Sequence, residues 1–229
     1  MNEGILYLVA TPIGNLKDIT FRAVETLKLS DVVLCEDTRR AKILFDAYDI
    51  HVPVLSYHAH NLAARERGVL KQLSEGKNIS LISDGGTPGV SDPGEAIVRS
   101  AVKNNIRVEC IPGPSAFVCA LVSSGLPTNG FVFLGFLQRK KSKMKKMLLR
   151  ALELDKTVVF YESPHRIEKT MQLCAETLSA ETTCVIAREL TKKFEEFIRG
   201  TVFQVYEKIK KRNQAPGEEI RGELVVMLR

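Results

Sequence analysis

The chain has 229 residues, 45% of them hydrophobic and 26% charged, the composition of a globular protein with enough chain for two domains of about 100 residues. No run approaches the ~20 apolar residues of a membrane span, and the start, MNEGILYLVA, carries an acid where a signal peptide carries positive charge, so a soluble cytoplasmic protein is expected. The formal charge of +6 divides unevenly, with 13 Lys+Arg against 14 Asp+Glu in residues 1–126 and 20 against 13 in residues 127–229, and a one-sided basic excess suits a polyanion partner.

In chain order, residues 4–10 read as a strand ending in the turn-rich loop TPIGN at 11–15. A helix follows from about Thr20, then a strand at 32–35, a helix after Asp37, a short strand at 54–57, and a helix capped near Asn61 and closed by Gly76. The apolar run Ile79, Leu81, Ile82 predicts a buried strand. It opens into SDGGTPGVSDPG at 83–94, where glycines let a ligand approach backbone amides. Asp92 is expected to cap the next helix, with Pro93 at its first position and Glu95 closing a capping box. A strand at 107–111 and a helix after Pro114 complete a strand–helix alternation that predicts a mainly parallel, doubly wound sheet. TPIGN, Glu36-Asp37, the 83–89 loop and IPGPSA at 111–116 should then converge on one rim, where open α/β sheets place their ligands.

Residues 123–130, SSGLPTNG, have linker-like composition, so two domains are expected: residues 1–126, carrying the glycine-rich loop, and residues 127–229, basic. The second half restarts with a strand at 131–135 and the basic run RKKSKMKK at 139–146, leading into a helix through Leu152. A strand at 157–161 precedes a helix capped by Ser163 with Pro164 at its first position. Further strands are expected at 182–188, 196–200 and 222–228, with a helix at 201–211 whose Val202, Phe203, Val205, Tyr206 and Ile209 stripe is core. Short links between several of these strands predict a mixed sheet. The five cysteines are odd in number and lack C-x-x-C spacing, which suits buried free thiols, and the four histidines show no zinc-ligand pattern, so no metal is expected. P-loop, G-x-G-x-x-G and G-x-S-x-G motifs are absent.

Eight segments in order, VATPIGNLKDIT, EDTRR, SYHAHN, SDGGTPGVSDPG, IPGPSA, FYESPHRI, ARELTKKFEE and RGELVVML, resemble the tetrapyrrole (corrin/porphyrin) methylase superfamily, in the branch that methylates ribosomal RNA. The resemblance spans essentially the whole chain. It implies a two-domain α/β fold with S-adenosylmethionine in the cleft between domains, a homodimer, and methylation of the ribose 2′-oxygen of a cytidine in 16S rRNA of the small ribosomal subunit. By the same resemblance the donor site comprises Pro12, Asp84, Gly86, Thr87, Ser115 and Ala116 in the first domain and Tyr161, Leu190 and Gly222 in the second. Ser83 and Gly85 stand where the tetrapyrrole enzymes carry Gly and Pro around the acid, and the loop here is longer. Longer family members continue past the position of Arg229 into a small helical extension, and docking contacts made by such a piece are not expected within these 229 residues.

A ribose hydroxyl is a poor nucleophile at neutral pH and needs a proton acceptor. Candidates are Asp37 and His58, at predicted strand ends, and Glu189; Asp37 equally suits a helix cap. Arg39, Arg40, Arg166 and Arg188 suit bidentate phosphate contacts, or salt bridges to the neighbouring Glu36, Glu162 and Glu189. Arg139, Lys140 and Lys141 suit RNA phosphates, or a solvated helix face. His165 and Tyr161 suit stacking on an unpaired base, although Tyr161 also suits the core. A tetrapyrrole or other small-molecule acceptor and a non-catalytic RNA-binding assembly factor are the competing readings; the basic second half disfavours the first, and the donor-site residues disfavour the second.

Overall fold

A computed structural model describes residues 4–58, 62–92 and 94–229, with backbone alone at 62–64. The chain divides into two compact units, Met1–Ser115 and Ala116–Arg229, so the division falls one helix before the 123–130 segment. Residues 116–126 carry no charge, so the −1 and +7 balance of the two halves is the same for these units.

In the first unit β1 (Ile5–Val9), β2 (Val32–Cys35), β3 (Val54–Ser56), β4 (Ile79–Leu81) and β5 (Arg107–Ile111) form a parallel sheet in the order β3-β2-β4-β1-β5. Its helices are α1 (Phe21–Leu29), α2 (Thr38–Tyr48), α3 (Leu62–Ser74) and α4 (Glu95–Lys103). Side chains alternate along the strands. Leu6, Leu34 and Leu81 meet Leu73 of α3 and Ile97 of α4 on one face, while Val9, Val33 and Cys35 meet Leu27 of α1 and Leu44 and Phe45 of α2 on the other. With right-handed crossovers, the chain leaves β1 and β4 in opposite directions, so their carboxyl ends mark the topological switch point at which open α/β sheets place ligands.

The helix starts follow local chemistry. The Thr20 hydroxyl accepts from the Ala23 N–H to cap α1, and the Asp37 carboxylate accepts from the Arg39 N–H to cap α2. At α4 the expectation fails: the N-cap is Gly94 with no side-chain cap, and Asp92 lies partly buried near the charges of Glu36 and Asp84. Pro93, and Asn61 as the expected cap of α3, lie outside the described residues.

The second unit is a mixed sheet in the order β6-β7-β10-β8-β9, built from β6 (Phe131–Phe136), β7 (Thr157–Glu162), β8 (Thr183–Arg188), β9 (Glu196–Thr201) and β10 (Leu224–Leu228); β6 and β7 are parallel and the other pairs antiparallel. α6 (Lys141–Leu152), α7 (Ile167–Thr177) and α8 (Val202–Gln214) cover one face through Met144, Leu148, Ile167, Met171, Val205 and Ile209. α5 (Ala116–Ser124) packs on the other, against β7, β8 and β10. The Arg199 guanidinium ties α5 there, donating to the terminal carbonyls of Ser123 and Ser124 at 2.8 and 3.2 Å while it stacks on Phe197.

Four local expectations are corrected. Ser163 does not cap α7: residues 164–166 form a turn, the Ser163 hydroxyl accepts from the His165 N–H, and the helix starts at Ile167. Residues 222–223 precede β10, since Gly222 takes φ +90°. Phe203 is 59% exposed, while Val202, Val205 and Ile209 fill the core. Cys110, on edge strand β5, is exposed; Cys35, Cys174 and Cys184 are buried. Among the described residues no helix is long and apolar enough to cross a membrane.

Candidate functional site

The carboxyl ends of the first sheet do converge. Thr11, leaving β1, exchanges two backbone hydrogen bonds with Gly86 of the β4 loop, at 3.0 and 2.9 Å, and its hydroxyl donates to the Ser83 carbonyl. The Ser83 hydroxyl donates to the Gly86 carbonyl, and Thr87 Oγ1 donates to the Pro114 carbonyl at 3.3 Å, joining the β4 loop to the end of β5. Glycine is favoured here by backbone conformation at one position and by tight space at its neighbour. Gly86 takes φ +90°, and a Cβ on Gly85 would stand 3.2 Å from the Pro12 carbonyl oxygen. Pro12, Asp84, Gly86, Thr87 and, through its neighbour Pro114, Ser115 therefore share one rim. Ala116 opens α5 in the second unit.

Asp84 ties this loop to the next strand end. Its Oδ1 accepts from the Asp37 N–H at 3.1 Å, and its Oδ2 lies 3.6 Å from the Arg40 guanidinium. The hydrogen bond from the Arg39 guanidinium, at 2.8 Å, holds the Asp37 carboxyl down at about 2, which makes it a feeble proton acceptor as well as a helix cap. Two further acids on the rim behave oppositely. Burial raises the Glu36 carboxyl, helped by the charge of Asp84 and opposed by His58 and Arg40. Burial together with the charges of Glu36 and Asp84 pushes Asp92 up to about 6. Asp92 was missed as a rim residue because its S-D-P-G context reads as a helix start; the apolar strand before Ser83 was the available signal that its neighbours would be partly buried. His58 follows β3 and stands close enough to Glu36 for their charges to interact.

Within the second unit, Tyr161, Leu190 and Gly222 gather at one end of the sheet, because Leu224 at the start of β10 pairs with both Glu162 and Arg188. Tyr161 sits among aromatic rings, 5.1 Å from Phe133 and 5.4 Å from Phe136. Leu190 is buried. The turn after β8 holds two non-glycine residues in the left-handed region, Glu189 at φ 51° and Thr191 at φ 65°. Burial would raise the Glu189 carboxyl, but hydrogen bonds from Lys192 Nζ at 2.8 Å and the Glu223 N–H at 2.9 Å outweigh it and hold it low. The site of Gly222 is dictated by this carboxyl, since a Cβ there would come within 2.3 Å of it. Lys192 and Glu223, which sequence reading did not single out, complete the network.

The predicted RNA contacts separate into two kinds. Arg166 bonds the buried Glu162 and the Leu137 carbonyl, and Arg188 bonds Glu196, not Glu189, and the Arg221 carbonyl; both are structural in this geometry. Arg39 pairs with Asp37 while 90% exposed. His165, Arg139, Lys140 and Lys141 are exposed. Among the described residues no group of three or more His, Cys, Asp or Glu could hold a metal ion.

The sequence profile of the tetrapyrrole (corrin/porphyrin) methylases matches residues 5–206. Ribosomal RNA small subunit methyltransferase I of Bacillus subtilis is 44% identical over 225 residues, covering 98% of this chain and 75% of the relative. The protein of that name from Halalkalibacterium halodurans is 47% identical over 201 residues, 88% of this chain and 69% of its own. Among solved structures, uroporphyrin-III C-methyltransferase from Thermus thermophilus complexed with S-adenyl homocysteine superposes with a TM-score of 0.65 over 98% of this chain and 97% of that one, at 19% identity, a likeness of fold.

Proposed function

The chain belongs to the tetrapyrrole (corrin/porphyrin) methylase family, and from that premise we infer that it transfers a methyl group from S-adenosylmethionine to the ribose 2′-oxygen of a cytidine in 16S rRNA of the small ribosomal subunit. The observation that carries the reading is the likeness, over nearly the whole chain, to relatives named for methylating ribosomal RNA of the small subunit. A homodimer acting in the cytoplasm belongs to the same proposal, on the resemblance of the sequence.

The donor supplies a methyl carbon made electrophilic by a positive sulfonium. The first-unit rim suits such a cation: it gathers four acids, Glu36, Asp37, Asp84 and Asp92, against the two cations Arg39 and Arg40, and a loop with glycines lets a ligand approach backbone. Asp84, Gly86, Thr87, Pro12 and Ser115 are the donor residues of the first unit, and the resemblance of the sequence adds Ala116, Tyr161, Leu190 and Gly222. Transfer is an in-line displacement, so the residues act chiefly by alignment. Of the three candidate bases, His58 is preferred, because ion pairing keeps Asp37 and Glu189 acidic and therefore weakly basic. Arg39, Arg40, Arg139, Lys140, Lys141 and His165 contact the RNA; Arg166 and Arg188 shape the site through their carboxylate partners.

Titration of S-adenosylmethionine into the purified chain tests the donor site. Saturable heat is expected for the natural sequence and none for Asp84→Ala, with circular dichroism unchanged. Undiminished binding by Asp84→Ala would remove that carboxylate from the donor site.

A further inference from the structure

We propose that the groove between α6 and β6 is a binding site for one unpaired nucleotide of the RNA, separate from the strand-end rim. The proposal rests on the reading of RNA as substrate and adds where, outside that rim, the chain is gripped. The groove has a volume of about 410 Å³, with an apolar floor of Val132, Leu134, Met147 and Leu154 and a basic border of Lys143, Lys146 and Arg150.

The floor is only partly used by the core: Val132, Leu134 and Met147 touch it with one side and leave the other toward the groove, and Leu154 lies outside it. Met144, Leu148 and Ala151, spaced i, i+4, i+7, already bury the helix against the core. Met147 and Leu154 lie on a second stripe with Lys143 and Arg150, and Leu154 is 58% exposed. β6 is the edge of its sheet, so this side of the groove stays open.

The charge of the segment is one-sided. Residues 139–152 contain seven Lys and Arg and no acid. Among the described residues none of the seven has a side-chain hydrogen bond or ion pair, as is also true of Lys169 and Lys211, while Arg166, Arg188, Arg212 and Arg229 of the same unit are paired. Most of the seven crowd the amino end of α6, where the helix dipole disfavours cations and favours anions. Lys143 and Arg150 are about 10 Å apart along the helix axis, a span that admits the phosphates on either side of one nucleotide. An apolar floor with cations along one border matches the alternation of base and phosphate in a single strand.

The test uses the full chain and a labelled single-stranded RNA of about eight nucleotides, beside an abasic ribose-phosphate chain of equal length, with binding read by fluorescence anisotropy across salt. Lys143→Ala/Lys146→Ala/Arg150→Ala should weaken both ligands and reduce the magnitude of the salt slope by about 2. Met147→Ser/Leu154→Ser, at partly and largely exposed positions, should weaken the RNA roughly tenfold and leave the abasic chain unchanged. Equal binding of RNA and abasic chain by the natural sequence, or an unchanged RNA affinity in the floor variant, overturns the nucleotide site. If methyl transfer to small-subunit RNA persists in that case, the substrate reading survives alone.

Discussion

Gly222 illustrates how narrowly single residues are constrained. Its φ of +90° and the carboxyl of Glu189 lying where a Cβ would stand both exclude a side chain. Gly222→Ala should therefore cost about 1–3 kcal/mol and displace Glu189 from Lys192 and the Glu223 amide. Urea unfolding measures the first effect, and a rise of the Glu189 carboxyl toward the ordinary range, followed by NMR titration, the second. Asp92 gives a prediction in pH. Its carboxyl titrates near 6 in the folded chain and near 4 when unfolded, so below pH 4 the group is neutral in both states and contributes nothing. As pH rises from 4 through 6 the unfolded chain gains stability by ionising first, and the folded state is penalised fully above 6. Asp92→Asn should match the natural chain in melting temperature at pH 4 and exceed it at pH 7.5; a difference independent of pH would contradict the assignment.

At the scale of elements, α6 sets binding against stability. Its Lys-rich amino end opposes the helix dipole, so Lys141→Glu should stabilise the chain by about 0.5 kcal/mol while weakening RNA binding in low salt. Thermal melts and anisotropy titrations on the same preparation decide this; a destabilised variant would mean that Lys141 has a structural partner. The elements themselves were largely legible in the sequence where one local rule acts alone. β2 and β5 lie at the expected residues because short apolar runs end at turn residues, and α1, α2 and α8 begin where Thr20, Asp37 and Thr201 cap them. The failures come at residues whose surroundings put them to another use. Asp92 lies partly buried among the rim acids Glu36 and Asp84, and α4 starts at Gly94 with no side-chain cap; the Ser163 hydroxyl accepts from the His165 N–H in a turn beside the buried Glu162, which accepts from the Ser163 N–H and the Thr170 hydroxyl and pairs with Arg166. Composition alone placed the division of the chain at the SSGLPTNG segment, since nothing in the apolar sequence of α5 announces the Arg199 contacts that tie it to the second sheet. The rim was legible because strand-end loops of a parallel sheet share a side; the pairing of Arg166 and Arg188 was not, because a guanidinium reads the same in sequence whether it meets a carboxylate or a phosphate.

For the whole molecule, the two units differ in electrostatic character. The first, at −1, concentrates acids at its strand ends, as a cationic donor requires; the second, at +7, carries the unneutralised cations that a polyanion requires. Family membership supplies a methyl-transfer fold, and the charge division favours RNA over an uncharged small acceptor held in an apolar cleft. The most direct measurement is transfer of labelled methyl from S-adenosylmethionine to small ribosomal subunits prepared without the modification, followed by alkaline hydrolysis of the RNA. A 2′-O-methyl group blocks cleavage at its own linkage, so a labelled, alkali-resistant dinucleotide beginning with cytidine is predicted. Label recovered only in alkali-sensitive mononucleotides, or none in RNA while the donor still binds, would contradict ribose methylation.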